Sequence, residues 1–142
     1  METPRIVVDT NVLVAGLRSR QGASFRLLQL LGTGRFEIAI SVPLVLEYED
    51  ALMRFVRMVG FDETEIAAVI DYVCAVGLRQ RIYFLWRPML PDPKDDLVLE
   101  LAVAANCEGI VTFNAKVFLG VEQFGLWIMT PREFLAQIGE TG

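Results

Sequence analysis

The short run Arg5-Ile6-Val7-Val8 ends abruptly on Asp9, and Thr10 and Asn11 follow at once. A Val/Ile stretch with no polar alternation reads as a strand buried on both faces of a parallel sheet. In open α/β sheets, ligands collect at the carboxyl ends of the strands, where the strand order reverses. Asp9 is therefore expected to face a crevice, with Thr10 and Asn11 as candidate substrate contacts at the same mouth. An Asp can sit at a strand exit for purely local turn reasons. Three polar side chains directly after an apolar strand favour the functional reading.

The rest of the chain repeats the theme. Strand 5–9 is followed by a helix near 23–32, stopped by Gly32 and Gly34. A second strand is expected over 35–41, and a helix from Pro43 to about residue 58. Asp62, with Glu65 three residues on, has the pattern of a capping box opening another helix. A third strand is expected at 81–86, a helix from Asp95 or Asp96 to Asn106, and strands at 109–112 and 126–129. Thr130-Pro131-Arg132-Glu133 again has a capping-box pattern. Strands alternating with helices predict one α/β domain over residues 1–142, a mostly parallel sheet covered on both faces. The consecutive helices 43–58 and 62–77 break the alternation, and such a pair can protrude from the sheet. Leu46 and Met53 lie off the main apolar face of the first, making this arm a candidate partner surface.

Composition narrows the chemistry. Of 142 residues, 54% are hydrophobic and the mean hydropathy is +0.44, so apolar surface is plentiful for one small domain. No segment approaches the roughly 18 uninterrupted apolar residues of a membrane span, and no signal segment opens the chain. A cytoplasmic location without a membrane role is expected. Cys74 and Cys107 read as isolated buried thiols. Histidine is absent, which removes Ser-His-Asp and Cys-His nucleophiles and HExxH metal sites. Hydrolysis by this chain must rely on carboxylates and a metal. The net charge of −5 argues against a passive nucleic-acid coat. Every cation other than Lys94 and Lys116 is an arginine, the side chain suited to bidentate phosphate contacts. Arg18 and Arg20 are expected in the loop after the first strand, and Arg87 near a later one.

Oxygen ligands recur at distant points. Glu47 and Glu49 each lie about 100° round the helix from its apolar face, one on either side, and spacing leaves them tied. Asp92, Asp95 and Asp96 precede a helix; one of them suffices as an N-cap, and three together repel one another unless a cation sits among them. Asn114, just beyond Thr112 at the end of the fourth strand, is a turn residue or a carbonyl ligand. Together these residues look like a site for a hard cation.

The segments Ile6 to Val14, Leu46-Glu47-Tyr48, Asp92-Pro93-Lys94-Asp95-Asp96 with Leu99-Glu100-Leu101-Ala102, Ile110 to Asn114, and Phe124-Gly125 with Thr130 to Leu135 occur in order. As a set they resemble a PIN-domain ribonuclease, of the VapC-like toxin branch of toxin–antitoxin systems, over essentially the whole chain. The resemblance implies a PIN-like three-layer α/β/α fold and Mg²⁺- or Mn²⁺-dependent cleavage of RNA. It places the family's first acid on Asp9 and its helix glutamate on Glu47, breaking the tie with Glu49. The third acid falls within Asp92–Asp96: spacing from Thr112 favours Asp96, while the Asp-Pro-x-Asp pattern favours Asp95 and Asp92. Many members carry a fourth Asp where this chain has Asn114, which weakens the case for a second metal. Thr112 joins the mouth of the site, and Arg18, Arg20 and Arg87 are candidates for holding flanking phosphates. A cognate antitoxin is the implied partner, and the surplus apolar surface, with Leu46 and Met53 off the main buried face, separately predicts a homodimer. Two competing readings are a receiver-like phosphoacceptor domain, disfavoured because Thr10 stands where a second acid is usual, and a catalytically degenerate PIN-like binding module.

Overall fold

The computed structural model describes residues 3–59, 62–82 and 89–140, without the side chains of 57–59. Five strands form one sheet in the order β3-β2-β1-β4-β5, and all the recorded pairings are parallel. They are β1 (Arg5–Val8), β2 (Glu37–Ile40), β3 (Leu78–Arg79), β4 (Gly109–Val111) and β5 (Trp127–Met129). Between them come α1 (Thr10–Arg18), α2 (Ala23–Gln29), α3 (Val42–Val59), α4 (Glu63–Val76), α5 (Pro93–Ala104) and α6 (Pro131–Gln137). Ile6, Val7 and Val8 are all buried, as are Gly109, Ile110 and Val111. Because successive strand residues point to opposite faces, both faces of β1 and β4 are covered. A Cβ on Gly109 would lie 2.1 Å from Trp127 on the neighbouring strand, so only glycine lets β5 close onto β4.

Helix α5 lies against β1, β2 and β4, α4 against β2, and α6 against β5. The pair α3 and α4 is rooted in the core: Leu44, Tyr48 and Leu52 of α3 and Ile66, Ile70 and Val73 of α4 are buried. α3 also packs on α1 and α5. Met53 packs partly against the core, whereas Leu46 is 58% exposed, so only the latter adds to an open surface.

Three expectations change. Residues 10–18 are helix, not loop: Asp9 is the N-cap of α1, and Val12, Leu13 and Gly16 make its buried face. The third strand is the two-residue β3, and Arg81 and Ile82 are not strand; residues 83–88 of the expected segment lie outside the described residues. Asp62 caps α4 through the Thr64 N–H at 2.6 Å, not through a reciprocal box with Glu65. The box at Thr130 and Glu133 is present in both directions.

Candidate active site

Strand β1 lies at the centre of the sheet, with β2 on one side and β4 on the other. The chain therefore leaves β1 in one direction and returns in the other, which opens a crevice at the carboxyl ends of β1 and β4. Asp9 sits there, 8% exposed. Its Oδ1 accepts the Thr10 N–H at 2.8 Å, and its Oδ2 accepts the Thr112 hydroxyl at 2.7 Å. Thr112 is wholly buried, and its oxygen also accepts the Asn114 N–H at 3.0 Å and Asn11 Nδ2 at 3.4 Å. The Thr112 hydroxyl is thus engaged by Asp9, Asn114 and Asn11 together. Asn11 Oδ1 accepts the Phe113 N–H at 3.4 Å, closing the two strand exits onto each other.

The opposite wall is α3. Tyr48, 2% exposed, donates its hydroxyl to the Val8 carbonyl at 2.5 Å. That bond ties α3 to the last residue of β1, and so sets Glu47, the residue before Tyr48, in the cleft beside Asp9. Glu49 is exposed and does not line the cleft. The third wall is the start of α5. Asp92 caps this helix through the Lys94 N–H at 2.9 Å, Pro93 occupies its first turn, and Asp95 turns inward. The cleft so formed holds about 410 Å³ and is lined by Asp9, Thr10, Asn11, Glu47, Asp92, Asp95 and Asn114, with Arg18, Arg54 and Lys94 at its rim.

Asp96 is placed differently. It is buried, it does not line the cleft, and its Oδ1 accepts the N–H groups of Met89 and Leu90 at 3.1 Å each. It anchors the chain entering α5, which leaves Asp95 and Asp92 as the members of the acidic cluster that face the site. Of the arginines, Arg18 stands in the last turn of α1, its guanidinium 5.4 Å above the Phe55 ring. Arg20 is exposed and away from the cleft lining, and Arg87 lies outside the described residues. Sequence reasoning missed Arg54 and Lys94. For Arg54 a signal existed: it follows Glu47 by seven residues, two turns along the same helix face.

The electrostatics report crowding of like charge. Burial lifts the Asp9 carboxyl above its usual range, the bonds from Thr112 and Thr10 pull the other way, and Glu47 adds repulsion. Asp95 is pushed up to about 6, first by burial and then by the charges of Asp9, Asp92 and Asp96. Burial and Asp9 also raise the Tyr48 phenol, which stays a neutral donor. Among the described residues no three such groups stand close enough to form a ready-made metal cage. The donor set itself suits a hard divalent ion: it is all oxygen, it converges on one cleft, and its members repel one another without a counter-charge.

The carboxylates gather at the topological switch point of a parallel α/β sheet, the place where such domains bind ligands. A PIN domain family profile matches residues 5–116, from β1 to beyond β4, and the chain belongs to the PIN domain family. PIN domains are generally nucleases. Comparison with curated proteins gives no match. Among solved structures the chain is similar to the crystal structure of VapBC2 from Rickettsia felis bound to a DNA fragment from their promoter. The identity is 17% and the TM-score 0.59, covering 87% of this chain and 98% of that chain. At that identity the likeness is one of fold.

Proposed function

We propose that this chain is a divalent-metal-dependent endoribonuclease acting as the toxin of a toxin–antitoxin pair. One observation carries the chemistry: Asp9, Glu47 and Asp95, from three distant segments, line a single cleft at the switch point of the sheet. Asp9 and Asp95 are the residues to hold Mg²⁺ or Mn²⁺, with Glu47 opposite them and Asp92 and Asn114 at the edge. Bound there, such an ion supplies positive charge to the phosphate and makes a nearby water more acidic. The chain's own residues do the rest. Thr112 and the Thr10 amide fix both oxygens of Asp9 in place. Glu47 orients the attacking water, and Asn11 and Thr10 contact the ribose-phosphate chain at the mouth. Arg18 stands at the rim as a phosphate contact.

Family membership supports the nuclease half of this reading, and the VapBC2 fold likeness supports the antitoxin half. A homodimer and a cytoplasmic site of action belong to the same proposal. No helix among the described residues is long and apolar enough to cross a membrane. The test is direct. Purified protein is expected to cut single-stranded RNA in Mg²⁺ or Mn²⁺ and to stop on adding EDTA. Cleavage that survives exhaustive chelation overturns the mechanism, and uptake of phosphate from acetyl phosphate onto Asp9 would instead show phosphoacceptor chemistry at this site.

A further inference from the structure

We propose that Lys94 and Arg54 are a movable counter-charge of the crevice, paired with Glu47 when no cation is bound and turned to substrate phosphate when one is. The inference rests on the nuclease reading above. Lys94 Nζ lies 3.5 Å from Glu47 Oε1, and an Arg54 guanidinium nitrogen lies 3.8 Å from the same oxygen. That nitrogen is also 3.4 Å from Asp50. Charge-assisted N–H···O bonds close at about 2.7–2.9 Å, so these contacts are loose pairs and not locks. The exposures are lopsided in the same sense: 15% for the Glu47 side chain, against 53% for Lys94 and 59% for Arg54. The carboxylate is held in the wall, while both cations are long, solvated and free to swing.

Their anchorage keeps them on station. The Lys94 backbone is fixed between Pro93 and Asp95 by the cap from Asp92, and Arg54 rides the cleft-facing side of α3. Two cations sharing one carboxylate oxygen offset the charge of Glu47 in the metal-free protein. A divalent ion arriving beside Glu47 repels both. Once displaced from Glu47, Arg54 keeps only its exposed contact with Asp50, and both cations can meet a phosphate: a guanidinium can bond two of its oxygens at once, and an ammonium adds a point charge. The acidic cleft thereby becomes receptive to a polyanion only after the metal is in.

The experiment compares wild type, Lys94→Gln, Arg54→Gln and the charge-preserving Lys94→Arg. Calorimetric titration of Mn²⁺ into metal-free protein reads the first half of the switch. Losing one exposed counter-charge is expected to tighten Mn²⁺ binding about two- to fivefold in either Gln variant. KM for single-stranded RNA is expected to rise with kcat little changed. The slope of log affinity against log salt should become shallower by about 0.7, one phosphate contact on a single strand. Lys94→Arg should restore both. The Lys94 side chain supports no part of the α5 cap, so the variants are expected to unfold at the wild-type temperature. Gln variants that leave Mn²⁺ affinity and salt slope at wild-type values, or that weaken Mn²⁺ binding, overturn the inference while the nuclease reading stands. A wild-type protein that neither binds Mn²⁺ nor cuts RNA removes both.

Discussion

Asp9→Asn is expected to abolish RNA cleavage without unfolding the protein. The carboxylate is held by Thr112 and Thr10, contributes no core packing, and is already lifted by burial and by Glu47. Removing its charge relieves repulsion, so the metal-free variant should melt no lower than wild type, a result calorimetry can check. Glu47→Gln is expected to be severe and Glu49→Gln nearly silent in the same cleavage assay, because only the first lines the cleft. Equal losses would show that the helix acts from both flanks. The raised carboxyls also fix a pH dependence. Asp95, normally near 3.8, is pushed to about 6 in the folded chain, so between those values the folded state binds more protons than the unfolded one. Stability of the metal-free protein must then fall as pH rises through that window and stay low above it. Metal should reverse this at neutral pH, so Mg²⁺ is expected to raise Tm more at pH 7 than at pH 5. A metal-free Tm that climbs from pH 5 to pH 7 would contradict the sign.

Helices and strands show where a sequence speaks for itself and where it does not. β1, β2, β4 and β5 were legible because each is a short apolar run bounded by turn residues, and the Thr130–Glu133 box announced α6. α1 was not: the end of the strand at Asp9 was plain, but the helix that starts there depends on the Asp9 N-cap, held in place by Thr112 about a hundred residues on. The acidic cluster was legible as a cluster but not by member. Which of Asp95 and Asp96 faces the cleft depends on how the segment before α5 folds back, and there the Met89 and Leu90 amides claim Asp96. Lys94 was invisible for a like reason, since a cation's role depends on what lies across the cleft, whereas Arg54 could have been found from its seven-residue spacing from Glu47 on α3. Tyr48 is the joint between elements. Tyr48→Phe removes the bond from α3 to the Val8 carbonyl, and it is expected to cost about 1–3 kcal/mol in denaturant unfolding. It should also weaken Mn²⁺ binding, because Glu47 is placed by the same turn. A variant as stable as wild type would mean that the carbonyl finds another donor.

For the molecule as a whole, the exposed apolar side chains bear on assembly. Val42 at 74% and Leu46 at 58% exposure flank a groove of about 710 Å³ that runs past Cys74 to Ile82 beside the edge strand β3. Burying such surface yields roughly 25 cal/mol per Å², and a homodimer through this region is the expected outcome. Sedimentation should show it, with Leu46→Glu shifting the balance to monomer; a strict monomer at high micromolar protein removes the claim. The strand order carries a consequence for how the enzyme comes into being. β1 is central, yet its partner β4 begins at Gly109, and the hydroxyl that orients Asp9 arrives with Thr112. Pairings this far apart in sequence form late and slowly. A ribosome-bound chain short of that point has its first acid but neither the strand nor the hydroxyl that fixes it. The cleft is thus assembled only once residues 109–112 have been made and have paired with β1, so its first acid waits about a hundred residues for its partner.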